Sequence, residues 1–393
     1  MNFKLSQRVQ RVKPSPTLAI TARAGALRAA GKDIIGLGAG EPDFDTPEHI
    51  KQAAIEAIKQ GKTKYTAVDG TAELKQAIIQ KFKSDNGLDY TEEQILVSSG
   101  GKQSFYNLCQ AMLDTGDEVI IPAPYWVSYP DMVLLADGTP VIINTEIEQQ
   151  FKITPAQLEA AMTANTRMVV INSPSNPSGK AYNRDELTAL AKVLKNYPQV
   201  LIATDDMYEH ILWTDDKFIN ILNVAPELYP QTIVLNGVSK AYSMTGWRIG
   251  YAGGPVVLIK AMKKIQSQST SNPSSISQAA AQAALAGDQS CVREMLLEFK
   301  ARHDHVVARL NRIDGVSCLE SDGTFYAFPD MRGYIKRLDG IETDLELAEY
   351  LLEQSGVALV PGSAFGCEGY MRLSYATSME QLDKALDRIE NIA

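Results

Sequence analysis

Cysteine and histidine are scarce in this sequence, and the few present form no ligand set. The four cysteines (Cys109, Cys291, Cys318 and Cys367) lie far apart, with no C-x-x-C pair and no histidine at metal-ligand spacing. That excludes a disulfide scaffold, leaves no metal site to expect, and fits reduced thiols in a cytoplasmic, soluble protein. No apolar run is long enough to cross a bilayer, and residues 1–10 lack the apolar core of a secretory signal. Blocks of Lys or Arg are missing too. With 38 basic and 47 acidic residues the net charge is −9, so neither nucleic acid nor an anionic membrane is expected as a main partner. An anionic ligand would have to be held by local cations against an unfavourable overall field. Internal repeats and low-complexity tracts are absent as well.

Composition is otherwise ordinary for a globular enzyme, at 45% hydrophobic and 22% charged. A chain of 393 residues exceeds what one compact core organises, so two domains are predicted. The recurring feature is a short apolar run that ends in small, polar or glycine-rich residues. Residues 94–98 lead into Ser99-Gly100-Gly101-Lys102, and 118–121 into Pro122-Ala123-Pro124-Tyr125-Trp126. The run 168–171 ends in Asn172 and, further on, Asn176-Pro177-Ser178-Gly179; 200–203 ends in Thr204-Asp205-Asp206-Met207-Tyr208. Residues 232–235 are followed by Asn236-Gly237 and then Lys240. Helical stretches lie between. One is predicted to start at Thr46-Pro47-Glu48 with Thr46 as cap, another near 184 with Asn183 as cap and Glu186 three residues on. The polar stretch 266–278 reads as a loop, and a long helix over about 290–312 is predicted to open the second domain. Strands alternating with helices imply an α/β chain with a largely parallel, helix-covered sheet, in which ligands sit beyond the carboxyl ends of the strands. Every polar stretch named above falls at such an end.

The chemistry at those ends narrows the ligand. A partly desolvated lysine has a lowered pKa, and its neutral amine condenses with aldehydes to a Schiff base. Arg248, eight residues after Lys240, suits a phosphate through paired, charge-assisted hydrogen bonds. Gly100-Gly101, between a strand end and a helix start, forms an anion site of free N–H groups at the positive dipole end. It is not a Walker loop, because Gln103 stands where Ser or Thr is needed. Gly36, Gly38 and Gly40 do not make a dinucleotide fingerprint either: the third glycine is mis-spaced and Pro42 interrupts the helix that should follow. Closely spaced glycines there let the backbone approach a ligand. An aldehyde that carries a phosphate is pyridoxal 5′-phosphate.

Five stretches, NGVSKAYSMTGWRIGY (236–251), INSPSNPSGKAY (171–182), ATDDMYEH (203–210), LGAGEPDFDTPEHI (37–50) and MRLSYA (371–376), resemble the class I aminotransferases of fold type I. GGKQ (100–103) and PAPYWVSYP (122–130) are similar to the bacterial aspartate aminotransferase branch. The resemblance implies a large domain over 47–290 with a mostly parallel, helix-covered sheet, and a smaller α/β domain built from both chain ends, 1–46 and 291–393. It implies pyridoxal 5′-phosphate bound as a Schiff base to Lys240, which then moves the proton between Cα and C4′. Asp205 is implied to pair with the pyridinium nitrogen; the family usually has Glu next, and this chain has Asp206, so two aspartates compete for the role. Tyr208 and Asn176 are matched to the ring's phenolic oxygen, Trp126 to the residue stacked on the ring, and Gly101, Lys102 and Arg248 to the phosphate. A core tryptophan is the alternative for Trp126. Tyr65 resembles a tyrosine that reaches the phosphate from the neighbouring subunit, which implies a homodimer with shared active sites. On the substrate side, Arg372 resembles the α-carboxylate arginine and Gly40 the glycine lying along the substrate, with Trp126 and Asn176 beside them. The loop 269–275 holds no arginine for a distal carboxylate, and Lys102 is matched to that task. Lys13 is matched to a lysine that accepts prephenate, with a solvated tail lysine as the alternative. The implied activity is ping-pong aspartate:2-oxoglutarate transamination, with prephenate to arogenate as a second reaction. An aromatic or other amino acid aminotransferase of the same family is the alternative.

Overall fold

The structure is a computed structural model that describes residues 3–214 and 217–392. Residues 1, 2, 215, 216 and 393, and the side chain of Leu18, lie outside the described residues, and with them the start of the segment 1–10. After a short β1 (Ile35–Gly36), the chain builds one large sheet from β2 (Ile95–Ser98), β3 (Glu118–Pro122), β4 (Thr139–Ile143), β5 (Thr166–Asn172), β6 (Leu201–Asp205), β7 (Thr232–Gly237) and β8 (Gly250–Gly253). Their order across the sheet is β2-β8-β7-β6-β5-β3-β4. β8 runs antiparallel to both of its neighbours, and the remaining pairs are parallel. The central strands read as near-continuous buried apolar runs, as sheets covered on both faces require. One covering core includes Ile78, Phe82, Leu187 and Leu190; the other includes Phe105, Leu108, Val133 and Met262.

β8 carries almost no strand signal, because two of its four residues, Gly250 and Gly253, are glycine. Space explains them: a Cβ on Gly250 would lie 2.3 Å from the Gly101 nitrogen, and one on Gly253 would lie 2.9 Å from the Tyr90 ring. The sheet accepts the strand only because it is thin.

The helix Arg184–Leu194 begins as predicted. Asn183 Oδ1 accepts from the Glu186 N–H at 2.9 Å, and Glu186 accepts from the Asn183 N–H at 2.8 Å. One local expectation is corrected and another is narrowed. Thr46 does not cap the helix Glu48–Lys59, which starts at Pro47 without a side-chain cap. Its hydroxyl instead donates to the Ser243 carbonyl at 2.6 Å and accepts from Trp247 Nε1 at 2.9 Å, tying this end of the helix to the lysine loop. The stretch 266–278 is a loop over 268–274, as expected, and only its two ends belong to helices, Val256–Ser267 and Ser275–Ala286. Gln266 and Gln278, at those two ends, look solvated in sequence but are buried and satisfied. Gln266 accepts from Ser98 and Asn107 at 2.9 Å and donates to the Val68 and Val97 carbonyls at 2.7 and 2.8 Å. Gln278 accepts from the Thr71 N–H at 2.8 Å.

Beyond the long helix Ser290–Leu310 come β9 (Tyr326–Ala327), β10 (Val357–Ala358), β11 (Val360–Pro361) and β12 (Met371–Ser374). β11, β12 and β9 form an antiparallel sheet, while β10 pairs in parallel with β1. Ile35 and Leu37 therefore share a core with Val306, Val357, Leu373 and Leu386, which joins the two ends of the chain. Among the described residues no helix is long and apolar enough to cross a membrane.

Candidate active site

The carboxyl ends of β2, β5, β6 and β7 open into a cleft of about 390 Å³, closed on its far side by Tyr326 of β9 and Arg372 of β12. Lys240 lines it, three residues past the end of β7, with Nζ donating to the Gly40 carbonyl and lying 5.9 Å from the centres of both the Tyr208 and Phe325 rings. Burial, reinforced by the cations Arg372 and Arg248, lowers the Lys240 pKa to about 8, while Glu41 and Asp205 oppose that shift. Only the neutral amine attacks an aldehyde. The cofactor-free chain should therefore capture an added aldehyde faster as pH rises, levelling off above about 8. A rate that keeps climbing to about pH 10, as an ordinary lysine's would, would show that the amine is not depressed.

The two aspartates separate cleanly. Asp205 faces the cleft, accepting from the Tyr129 hydroxyl at 2.5 Å and from the Met207 N–H at 3.2 Å. Burial raises its pKa, and among the described residues it makes no ion pair. Asp206 is 2% exposed and turns the other way, accepting from Asn220 Nδ2 at 2.7 Å. A strand alternates its side chains between faces, so only one of two consecutive aspartates can reach the cleft.

Helix Gly101–Met112 starts at the cleft, with Gly100 at its cap and in a left-handed conformation (φ 93°). The first N–H groups of a helix have no acceptor within it. A Cβ on Gly100 would fall 2.1 Å from Arg248 Nη2, so a glycine is needed for the guanidinium to lie against this turn. Arg248 also donates from Nη1 to the Thr245 carbonyl at 2.7 Å. Lys102 lines the same mouth, its Nζ 5.3 Å from the centre of the Trp126 ring. Partial burial, then the nearby Arg248, lowers its pKa, and Asp131 opposes them. Trp126 faces the cleft as well and meets Tyr129 edge-on at 5.2 Å.

Arg372 is 3% exposed. It donates to Asn176 Oδ1 at 3.0 Å and to the Gly38 carbonyl at 2.7 Å, while its Nε is buried without a partner. Asn176 is itself held, its N–H donating to Asn172 Oδ1 at 2.9 Å. Asn172 in turn donates to the Asp205 carbonyl at 2.9 Å, so β5 and β6 fix these groups jointly. Tyr208 is hydrogen-bonded to the Tyr326 hydroxyl at 2.8 Å.

The cleft thus brings together Gly40, Gly101, Lys102, Trp126, Asn176, Asp205, Tyr208, Lys240, Arg248 and Arg372. It does not gather Lys13 or Tyr65. Lys13 is exposed beside the mouth, where its backbone N–H faces the Asp131 carboxylate. Tyr65 is 92% exposed, away from this chain's own cleft. Sequence reasoning missed Tyr129 and Tyr326. The first had a usable signal, since Trp126 and Tyr129 stand three apart where a helix would align them; the second had none.

Fold and cleft place the chain among the α/β transferases of fold type I. More narrowly, it belongs to the aminotransferase class I and II family, whose model matches residues 32–389, and it is an aminotransferase. It is 64% identical over 395 aligned residues to the aspartate/prephenate aminotransferase of Nitrosomonas europaea, covering 99% of this chain and 100% of that one. It is 56% identical to the enzyme of the same name from Cereibacter sphaeroides, covering 98% of each. Among solved structures it is similar to the aspartate aminotransferase of Rhizobium meliloti, with TM-score 0.96, 50% identity, and 99% and 98% of the two chains covered. The aspartate aminotransferase of Thermus thermophilus with maleate gives TM-score 0.93 at 43% identity, with both chains covered in full.

Proposed function

We propose that this aminotransferase moves the amino group between aspartate and 2-oxoglutarate in a ping-pong cycle, and that it also converts prephenate to arogenate, using pyridoxal 5′-phosphate. The observation that carries this reading is a cleft in which the depressed amine of Lys240 is flanked by Arg372 and, at the mouth, Lys102. Two cations around one amine suit a substrate with two carboxylates, because the distal charge finds a partner instead of being desolvated alone. The relatives named for aspartate and prephenate, and the neighbour solved with the dicarboxylate maleate, support it.

The residues fit the cofactor on their own terms. Asp205 is a cleft carboxylate with no ion pair among the described residues, Arg372 keeps an orphaned Nε, and Gly100 is a cradle that a Cβ would fill. When bound, the cofactor supplies an electron sink for the substrate's α-carbon and carries the amino group between half-reactions. Lys240 is then the covalent anchor and, once displaced, takes and returns the proton at Cα. Asp205 holds the ring-nitrogen proton. Tyr208 and Asn176 would bind the ring oxygen, Trp126 would pack against the ring, and the Gly101 and Lys102 N–H groups with Arg248 would hold the phosphate. Arg372 binds the α-carboxylate against Gly40, Asn176 and Trp126, Lys102 takes the distal carboxylate, and Lys13 serves prephenate at the mouth. The exposure of the Tyr65 ring supports its serving a neighbouring subunit, in a homodimer with shared sites. Division into a large domain over 47–290 and a small one from 1–46 and 291–393 is supported by the core that unites Ile35 with Val357. Free cysteines support a cytoplasmic setting.

The test is a pair of half-reactions. Aspartate and glutamate should convert the visible cofactor band rapidly, alanine and phenylalanine slowly, with oxaloacetate, 2-oxoglutarate and prephenate restoring it. Preferential conversion by phenylalanine would move the enzyme to the aromatic branch. In the same assay Lys102→Ala should raise KM for the dicarboxylates by roughly tenfold to a hundredfold, the weight of one charge-assisted hydrogen bond. KM for alanine and phenylalanine should change little; equal effects on both classes would remove Lys102 from the distal role.

A further inference from the structure

We propose that Tyr326 is a positioning residue that couples the cofactor side of the cleft to its carboxylate side, its hydroxyl orienting Tyr208 and its ring face seating Arg372. The inference rests on the roles given above to Tyr208 and Arg372.

Three observations carry it. Tyr326 is fully buried at 0% exposure and yet lines the cleft. Its hydroxyl lies 2.8 Å from that of Tyr208. A phenol has one proton to give and two lone pairs to receive. With Tyr326 donating, the Tyr208 proton is left free to point at the ring oxygen; without Tyr326, that hydroxyl can rotate away. The ring does the second task. The Arg372 guanidinium carbon sits 4.4 Å from the Tyr326 ring centre and 5.0 Å from that of Phe365, clamped between two aromatics. Strand register produces this: Ser374 of β12 pairs with Tyr326 of β9, and Arg372, two residues before Ser374, shares its face of the sheet. The same hydroxyl accounts for Gly40, where a Cβ would come within 2.9 Å of it.

Phenylalanine and leucine variants separate the two tasks. Tyr326→Phe keeps the ring and removes the hydroxyl, so a hydrogen bond that favours a deprotonated ring oxygen is weakened. The pH midpoint of the bound-cofactor absorbance should rise by about half a unit, with kcat falling and KM for aspartate almost unchanged. Tyr326→Leu removes the ring as well and should add a rise in KM for aspartate of about fivefold or more. If the leucine variant fails to fold, the phenylalanine variant and its cycle with Tyr208→Phe still decide the question. Acting through Tyr208, Tyr326→Phe should add nothing to the midpoint of Tyr208→Phe, whereas a general packing effect would add in full. Tyr208→Phe and Arg372→Lys serve as controls. If both controls respond and the Tyr326 variants match the parent, the coupling role is overturned. Silent controls would overturn the underlying site assignment, and the coupling with it.

Discussion

Lys240→Ala should lower the rate of transamination by roughly four orders of magnitude or more and leave no visible cofactor band. General acid–base catalysis by a placed side chain contributes about 10²–10⁴-fold, and the covalent anchor is lost as well. Alanine offers no group in place of the amine, and Asp205 is engaged elsewhere, by Tyr129 and the Met207 N–H, while Nζ points to the Gly40 carbonyl. Stability should change little, since Lys240 makes no ion pair among the described residues and donates only to one carbonyl. The check is single-turnover kinetics with aspartate alongside an absorbance spectrum and a melting curve. A folded variant that retains turnover within about a hundredfold would remove Lys240 from the centre of the mechanism.

Asp205→Asn is expected to give the second largest loss, a fall in kcat of about a hundredfold to a thousandfold, the range seen when one electrostatic partner of a developing charge is removed. The amide keeps the shape: its oxygen can still accept from the Met207 N–H while its NH2 donates to the Tyr129 hydroxyl oxygen, so one bond reverses direction, the geometry is largely kept and the charge is lost. Aldehyde capture by Lys240 should survive, which separates this variant from the first. Asp206→Asn is the contrast. Its carboxylate meets Asn220 on the opposite face, so the variant should alter the melting temperature and leave kcat within about threefold. The reverse pattern, with Asp206 essential and Asp205 dispensable, would exchange their roles.

Much of this was legible in the sequence because each strand announces its own carboxyl end. Apolar runs stopping at Gly100, Asn172, Asp205 and Lys240 are local patterns, and a parallel sheet gathers such ends on one edge by its topology. What stayed hidden depends on contacts between distant elements. The Tyr129–Asp205 bond spans 76 positions and the Tyr208–Tyr326 bond 118, and no periodicity within either segment reports them. Polarity misled at Gln266 and Gln278, the two ends of 266–278, for a related reason: a buried glutamine with partners supplied from elsewhere looks, in one dimension, like a solvated one. Thr46 misled because its hydroxyl oxygen accepts from Trp247 Nε1 across the fold, with its proton given to the Ser243 carbonyl, instead of accepting from its own helix.

The reversed direction of β8 makes the lysine loop a ruler. Gly237 and Gly250 are paired across β7 and β8, so both ends of the segment between them are pinned by the sheet. Lys240 stands three residues inside one pin and Arg248 two residues inside the other. The backbone span from Lys240 to Arg248 is thereby bounded by one closed hairpin, while the Gly40 carbonyl and the Gly100 turn seat the two side-chain ends. On the proposed reading, a ligand whose reactive carbon and anionic tail are spaced to suit that hairpin would meet both groups at once, and one of another length would be a poorer fit.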